Sequence, residues 1–297
     1  MRLFVTGAAG FIGREVCAEA VRRGHSVLGL VRETVPGLPG EVQQAAGTLG
    51  ELPWQRIEAF EPEGIIHLAW ITQPGVYLNS DENATLLEQS RDMLERLMQA
   101  GIKRIAVAGT CLEYHSAIEP LDEYSSPLVP AFPYTKAKME LWQWLQDEAE
   151  KAGTSAAWLR IFYPYGPGEH QRRLPTLIMR QLGSGQKMLL RTPESIKDYI
   201  YVTDLAAATL EVIEQGLTGP VNLGSGTGVK IRDLAATIAE IMKISSDQVG
   251  NAPVLDNDPW PFHVAKTNRL AALGWAPRVG LADGMRNLWA SLGANAV

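Results

Sequence analysis

The sequence predicts an α/β protein with a doubly wound parallel sheet, followed by a smaller C-terminal α/β region. Two observations in the 297 residues predict the sheet. Short apolar runs alternate with amphipathic stretches through the first half, and a glycine-rich turn directly follows the first apolar run. A third observation predicts the smaller region, because from about residue 163 the alternation becomes irregular and proline and glycine interrupt it.

Five apolar runs predict the strands of the sheet: residues 3–5, 27–31, 64–69, 105–108 and 156–162. Apolar residues at helical spacing predict the intervening helices, with faces formed by Ile12, Val16 and Ala20, by Leu86, Leu94 and Met98, and by Met139, Trp142 and Leu145. Such sheets bind ligands beyond the carboxyl ends of their strands. We therefore expect the chemistry in the loops that follow these runs.

The change of pattern also predicts two domains. Residues 1–162, together with about 197–218, are expected to form a dinucleotide-binding domain. Residues from about 163 to 196, together with 219–297, are expected to form a substrate-binding domain. Within the second, Ile231, Leu234 and Ile238 indicate one more amphipathic helix.

Composition excludes several classes of protein. An apolar content of 46% and a mean hydropathy of −0.06 exclude a disordered chain. A net charge of −6 offers no global attraction for nucleic acid or an anionic membrane. Cys17 and Cys111 are too few for a disulfide framework or a zinc site. With neither a signal peptide nor a membrane span in the sequence, we expect a soluble cytoplasmic protein without a metal.

Gly7, Gly10 and Gly13 lie between the first strand and the first helix. Glycines at this spacing permit a tight turn in which backbone N–H groups and the positive end of the helix approach a pyrophosphate. The loop therefore predicts a Rossmann-type dinucleotide site that also includes Ala9, Phe11 and Ile12.

The end of the second strand indicates which dinucleotide binds. An acidic residue there holds the adenosine ribose of NAD, but this chain has Val31 followed by Arg32. A cation suits the 2′-phosphate of NADP, so NADP is the preferred cofactor, with NAD as the alternative. Arg32 could instead be a surface charge beside Glu33.

Tyr134 and Lys138 are four residues apart and share one face of a predicted helix. A phenol becomes an effective acid or base near neutral pH only when a neighbouring charge favours its phenolate, and an ammonium can do this. Thr110 ends the fourth predicted strand, at the edge where the ligand is expected. The three residues together predict acid–base chemistry at a substrate oxygen.

At these residues the sequence resembles the extended short-chain dehydrogenase/reductases of the NAD-dependent epimerase/dehydratase family, which act mostly on nucleotide sugars. The resemblance runs nearly end to end, through further motifs at 65–69, Asn83, 197–204, 222–226 and 273–277. It implies that Tyr134 is the acid–base residue, that Lys138 activates it and binds a ribose, and that Thr110 orients the reacting oxygen. It also places Leu68, Ala69 and Phe162 at the cofactor.

Departures from the family pattern reduce the number of reactions that this protein is expected to catalyse. The family's 4,6-dehydratases have an Asp-Glu pair after the threonine, where this chain has Cys111 and Leu112, which argues against elimination. Tyr163 replaces an asparagine that usually contacts the substrate pyrophosphate. Lys197 replaces an arginine and keeps the charge without the bidentate fork.

Seven residues are candidates for substrate contacts: Trp70, Glu113, Tyr163, His170, Arg172, Arg173 and Lys197. The three cations would hold a diphosphate, although the two arginines could equally belong to a solvated turn. Glu113 could face the sugar or be a solvated loop carboxylate. Cys111 and His170 resemble the acid–base pair of one epimerase-reductase type, but the cysteine is one residue too early, which favours a buried filler.

These observations lead to the hypothesis of an NADPH-dependent nucleotide-sugar ketoreductase, acting on a 4-keto-6-deoxy sugar with Tyr134 as proton donor. The alternative is a nucleotide-sugar 4-epimerase that holds NAD tightly. A non-catalytic dinucleotide sensor is a third reading, disfavoured because tyrosine and lysine are both present. The apolar helix over 86–98 is consistent with either core packing or a homodimer.

Overall fold

The computed structural model describes residues 1–115, 117–254 and 256–293. The first half of the chain contains β1 (Arg2–Thr6), α1 (Phe11–Arg22), β2 (Ser26–Val31), β3 (Gln43–Ala46), α2 (Trp54–Phe60), β4 (Gly64–His67), α3 (Glu82–Gln99), β5 (Arg104–Thr110), α4 (Pro133–Ala152) and β6 (Ser155–Ile161). A short 3₁₀ helix, Cys111–Glu113, directly follows β5.

The second half contains β7 (Tyr163–Tyr165), α5 (Leu174–Gly183), β8 (Met188–Leu190), β9 (Ile196–Tyr201), α6 (Val202–Glu214), β10 (Gly219–Leu223), β11 (Gly228–Lys230), α7 (Ile231–Ile241), β12 (Val249–Asn251), β13 (Phe262–His263), α8 (Asn268–Ala272) and α9 (Leu281–Gly293). None of the helices that the structure describes is long and apolar enough to cross a membrane.

A parallel seven-stranded sheet forms the centre of the molecule, in the order β10-β6-β5-β4-β1-β2-β3. This order confirms the predicted doubly wound fold. The strand order reverses direction at β1 and β4, whose last residues Thr6 and His67 are paired. In open α/β sheets such a reversal creates the crevice that binds the ligand.

Helices cover both faces of this sheet, so its strands are apolar on both sides. Along β1, Leu3 and Val5 pack in the cluster that includes α1 and α6, whereas Phe4 between them packs in the cluster that includes α3 and α4. The alternation follows from the two-residue period of a strand.

The smaller region is built on a second sheet, in which β9 pairs with β7, β11 and β13, and on the pair β8 and β12. Helices α5, α7 and α9 pack against these strands. Their common core includes Ile178, Leu234, Ile238, Met285 and Leu288. This region confirms the predicted smaller α/β part and covers one side of the crevice.

The strand pairing corrects the expected division of the chain at two places. The segment Gly219–Leu223 was expected in the substrate-binding part, but β10 pairs with β6 and completes the large sheet. Conversely, β9 was expected in the dinucleotide-binding part, but it is the central strand of the small sheet. Pro220 and Asn222 interrupt the apolar pattern of β10, so the sequence does not show that the strand is buried from Pro220 to Leu223.

The predicted third strand is shorter than its apolar run. The run extends to Ala69, but β4 ends at His67, because the N–H groups of Leu68 and Ala69 both donate to the side-chain oxygen of Thr6, at 3.2 Å each. These two residues therefore begin a loop at the crevice.

Candidate active site

The glycine loop forms a cradle lined by backbone between β1 and α1. Gly7 has φ +70°, and a Cβ there would come within 2.9 Å of the Ala69 nitrogen. A Cβ on Gly13 would collide with the Gly7 carbonyl oxygen. Gly10 is the N-cap residue of α1 and supplies no side chain to that helix end. This shape fits a dinucleotide pyrophosphate, which needs close backbone approach and a free helix N-terminus.

A buried hydrogen-bond chain fixes the loop after β4. Thr6 Oγ1 lies 2.7 Å from His67 Nδ1, and His67 Nε2 lies 2.9 Å from Ser90 Oγ. Because the Ser90 hydroxyl donates to the Leu86 carbonyl, the proton of His67 is on Nε2 and Nδ1 accepts from Thr6. Burial, and next the charge of Lys138, lowers the pKa of His67 to about 3, so the ring is neutral.

The other predicted cofactor residues lie around this cradle. Val31 is buried at the end of β2 and Arg32 is exposed beside it. Arg14, which the sequence did not single out, donates from α1 to the carbonyls of Ala9 at 2.9 Å and Pro36 at 3.0 Å. It thereby ties the glycine loop to the segment that follows β2.

Thr110 and Tyr134 meet where β5 ends and α4 begins. Thr110 is extended and caps the 3₁₀ helix, its Oγ1 accepting from the Leu112 N–H at 3.2 Å. Tyr134 is buried, which raises the pKa of its phenol well above the ordinary value. A hydrogen bond with the Thr110 side chain acts in the opposite direction. Tyr134 therefore carries its proton at neutral pH and can donate it.

Lys138 lies one helical turn beyond Tyr134, buried on the same helix. Its Nζ donates to the Ala108 carbonyl at 2.7 Å and lies 3.7 Å from the ring centroid of Trp70. The ring centroid of Tyr134 is 6.0 Å from the same atom. Burial lowers the pKa of Lys138 to about 7, while the Glu113 carboxylate opposes that effect. Its protonation is therefore sensitive to small changes in its surroundings.

Two residues predicted to contact substrate or cofactor, Trp70 and Phe162, pack against other side chains of the protein. Trp70 donates from Nε1 to Asn83 Oδ1 at 2.8 Å, which holds its ring over Lys138. Phe162 is buried against the Tyr114 ring, with 6.4 Å between centroids.

Glu113 does not line a substrate pocket, contrary to the expectation from sequence. Its side chain is fully buried, and its oxygens accept from Arg160 Nε at 2.9 Å and from Trp158 Nε1 at 3.0 and 3.1 Å. Sequence reasoning missed Arg160. The available signal was a lone cation within the apolar run over 156–162, which requires a buried anion as partner.

A cavity of about 210 Å³ opens between the loop after β4 and the small sheet. Tyr77, Tyr163, Arg172, Arg173 and Lys197 are among its lining residues. The Tyr77 ring packs edge-on against Tyr134, with 4.9 Å between centroids, so the cavity leads towards the catalytic group. The sequence did not single out Tyr77, or Tyr199 in the same lining.

The predicted diphosphate cations differ in their surroundings. Lys197 is buried and donates to Asp258 Oδ2 at 2.7 Å and to the Trp260 carbonyl, so its charge is already neutralised. Arg172 and Arg173 line the cavity without an ion pair to any residue that the structure describes. The structure therefore leaves the two arginines, and not Lys197, free to meet an anion.

Cys111 and His170 also differ in their surroundings, because one is buried and the other is exposed. Cys111 is buried, which raises the pKa of its thiol, and it packs in the cluster that includes Tyr114 and Phe162. His170 is exposed in the turn before α5, and its Nδ1 accepts from the Arg172 N–H at 3.1 Å. His170 lies outside the lining of the cavity. Cys111 therefore has the surroundings of a buried filler.

Known proteins are similar to this chain over most of its length. The model of the NAD-dependent epimerase/dehydratase family matches residues 3–224. A UDP-glucose 4-epimerase of Rhizobium leguminosarum bv. trifolii is 27% identical over 97% of this chain and 96% of its own length. A dTDP-6-deoxy-L-talose 4-dehydrogenase (NAD(+)) of Aggregatibacter actinomycetemcomitans is 28% identical over 78% of this chain and 87% of its own.

Among solved structures, a UDP-glucose 4-epimerase of Thermotoga maritima with UDP-glucose matches the whole of both chains with a TM-score of 0.88 at 22% identity. This likeness concerns the fold. The family match covers most of the chain and includes the glycine loop, Thr110, Tyr134 and Lys138. The two curated relatives act, by their names, on nucleotide sugars. The chain itself belongs to the NAD-dependent epimerase/dehydratase family.

Proposed function

We propose that the protein is a nucleotide-sugar 4-epimerase. The observation that carries this proposal is a single acid–base residue, Tyr134, beside the cavity, with buried Cys111 and Leu112 where elimination would need two carboxyls. Epimerisation through a ketone moves one proton on and off one oxygen, so one such residue suffices. The names of the two curated relatives both put the reaction at carbon 4.

In this proposal the glycine cradle holds the dinucleotide pyrophosphate, and Lys138 binds the neighbouring ribose. A nicotinamide dinucleotide bound there would supply the hydride acceptor for carbon 4 and return the hydride. In its phenolate form, Tyr134 takes the proton of the 4-hydroxyl as that group is oxidised, and the resulting phenol gives the proton back on reduction. Thr110 donates a hydrogen bond to the same oxygen and stabilises its developing charge. An ammonium at Lys138 favours the phenolate form of Tyr134.

The two arginines support a substrate that carries a diphosphate. Arg172 and Arg173 lie on one wall of the cavity, on the turn that leads into α5. Their guanidinium groups can each form paired hydrogen bonds with phosphate oxygens. The aromatic wall formed by Tyr77, Tyr163 and Tyr199 suits the apolar face of a sugar.

The test is interconversion of UDP-glucose and UDP-galactose by the purified protein, followed by chromatography of the nucleotide sugars. We expect turnover without added cofactor, and release of stoichiometric NAD from denatured protein. Tyr134→Phe is expected to retain the dinucleotide and lose at least about 10³-fold in kcat, the range of general acid–base catalysis. Wild-type turnover in that variant would rule out Tyr134 as the acid–base residue.

A second candidate is a ketoreductase that uses NADPH on a 4-keto-6-deoxy nucleotide sugar. Arg32, exposed beside β2 where an NAD-binding acid is absent, favours it. The 4-dehydrogenase relative, whose name describes oxidation at the same carbon, also supports a net redox reaction. Purified protein that is empty or loaded with NADP, and that oxidises NADPH with such a ketone, would favour this candidate over the epimerase.

A further inference from the structure

We infer that Glu113 is a positioning residue of this active site: its buried carboxylate fixes Thr110 at the end of β5 and keeps Lys138 in its ammonium form. The inference rests on the proposed function, because that reaction uses Thr110 and Lys138. It gives a role to a buried residue that lies outside the lining of the cavity.

The first step of the argument is how the carboxylate is held. Oε1 of Glu113 accepts from the backbone N–H of Thr110 at 3.0 Å, and Oε2 accepts from Arg160 Nε at 2.9 Å. Both oxygens also accept from Trp158 Nε1. The donors come from β5 and from the neighbouring strand β6. The Thr110 backbone is thus tied to the sheet through a charge-assisted bond, which is stronger than a neutral one.

The second step is that the backbone is shaped around this contact. The Trp158 indole reaches Glu113 across Gly109, where any Cβ would collide with Trp158 Nε1. The ring centroid of the same indole lies 6.0 Å from Lys138 Nζ. Lys138 Nζ in turn donates to the Ala108 carbonyl, next to Gly109 in β5. One indole therefore contacts the carboxylate and lies near the ammonium.

The third step is the charge around Lys138. The groups that face it are His67 from β4, the Trp70 ring from the following loop, Tyr134 from α4 itself and Glu113 from the 3₁₀ helix. His67 is neutral with both nitrogens bonded, and the phenol of Tyr134 is protonated. Glu113 therefore supplies the negative charge among these groups, and Arg160, with its Nε 2.9 Å from Oε2 on the far side, offsets that charge in part. That charge raises the pKa of Lys138, against the larger lowering by burial.

The fourth step is that stability alone does not account for the pair. A buried Arg–Glu pair loses two hydration shells, and well-packed apolar side chains of similar volume are often as stable. Arg160 makes further bonds to the Tyr114 hydroxyl at 3.1 Å and the Glu123 carbonyl at 2.9 Å. The pair is accounted for when the Glu113 carboxylate acts on Thr110 and Lys138 and Arg160 holds that carboxylate in place.

The experiment first removes the bound dinucleotide from the purified protein. It then measures the affinity for NADH, or for NADPH where that binds more tightly, by nicotinamide fluorescence between pH 5.5 and 9.5. Because the Lys138 ammonium binds the ribose, the protein should have its full affinity for the dinucleotide at pH values below the pKa of Lys138 in the free protein. Affinity is then lost as the pH rises through that value. We expect the loss to begin near pH 7 in the wild type, and about one pH unit lower in Glu113→Gln. Lys138→Met should show no inflection.

Trp158→Phe is the matched control, because it removes one donor to Glu113 and keeps the charge. Its inflection should stay at the wild-type pH. Should Glu113→Gln fail to fold, as checked by thermal melting, the double variant Glu113→Gln with Arg160→Met removes both charges together. Its inflection should move in the same direction by a smaller amount, because the opposing charge of Arg160 is lost as well.

An inflection that stays in place when Glu113 is neutralised, or that is missing from the wild type, would overturn the inference. NADH binding needs no sugar. A shifted inflection in a protein that fails to interconvert UDP-sugars would therefore count against the proposed function and leave the role of Glu113 standing.

Discussion

Thr110 has two tasks that its geometry separates. Its backbone is held by Glu113 and its Oγ1 accepts from the Leu112 N–H, while its hydroxyl is hydrogen-bonded with Tyr134 and can donate to a substrate oxygen bound beside that phenol. The methyl group takes no part in these bonds. The hydroxyl, and not the shape of the side chain, is therefore expected to determine the rate.

Replacing Thr110 tests this division. Thr110→Ala should lower kcat for UDP-glucose by about 10²-fold, the effect of removing one hydrogen-bond donor from a developing oxyanion, and change KM little. Thr110→Ser keeps the hydroxyl and should retain most of the rate. Steady-state kinetics on both variants check it. An equal loss in the two variants would show that the methyl group matters and that the hydroxyl does not.

At single positions, the sequence predicts which side chains lie together where their spacing along one helix determines it. Tyr134 and Lys138 share a face of α4 as their spacing predicts. The surroundings of Glu113 and Lys197 could not be predicted, because each is determined by a partner distant in sequence. Arg160 meets Glu113 only because β5 and β6 are neighbours, and Asp258 meets Lys197 through a loop more than fifty residues away.

Among the elements, the turn from β1 into α1 depends most on residue type. Gly13 lies on the first turn of α1, fully packed against the Gly7 carbonyl, which allows helix and strand to approach closely. Because the collision would be with backbone, no side-chain rearrangement can relieve it.

Gly13→Ala is accordingly expected to destabilise the fold by about 3 kcal/mol and to abolish NADH binding by displacing the glycine cradle. Gly40→Ala is the matched control, because a Cβ there meets nothing within 4 Å. Urea denaturation and NADH titration of both variants provide the measurement. Unchanged NADH affinity in a stable Gly13→Ala protein would mean that the cradle does not hold the cofactor.

Elements were predictable in proportion to how regular their patterns are. The strands β1, β2 and β5 and the helices α1, α3 and α4 follow runs with a clear period. Strand β3 escaped prediction because Gln43 and Gln44 give it no apolar run, although it pairs with β2. Strand β10 escaped because membership of the large sheet depends on its pairing with β6, which the local sequence does not encode.

In the whole molecule, one buried carboxylate of the small sheet reaches the segment that follows the last strand of the large sheet. Asp198, fully buried in β9 of the small sheet, accepts from the Ser225 N–H at 2.7 Å and the Gly226 N–H at 2.9 Å, which follow β10 of the large sheet. It also accepts from the Ser225 hydroxyl at 2.6 Å and the Ala265 N–H at 3.1 Å. One carboxylate thus connects three segments that are far apart in the sequence.

Asp198→Asn should destabilise the protein by about 2 kcal/mol, because an amide NH₂ replaces one of the two accepting oxygens and leaves at least one of the N–H groups of Ser225, Gly226 and Ala265 without an acceptor. Asp256→Asn is the control: this aspartate forms an exposed ion pair with Arg191 at 3.4 Å, and its loss should cost less than about 1 kcal/mol. Urea denaturation of both variants measures the difference. Equal midpoints would show that packing alone joins the sheets, whereas a lower midpoint for Asp198→Asn alone would show that this carboxylate stabilises the junction between them.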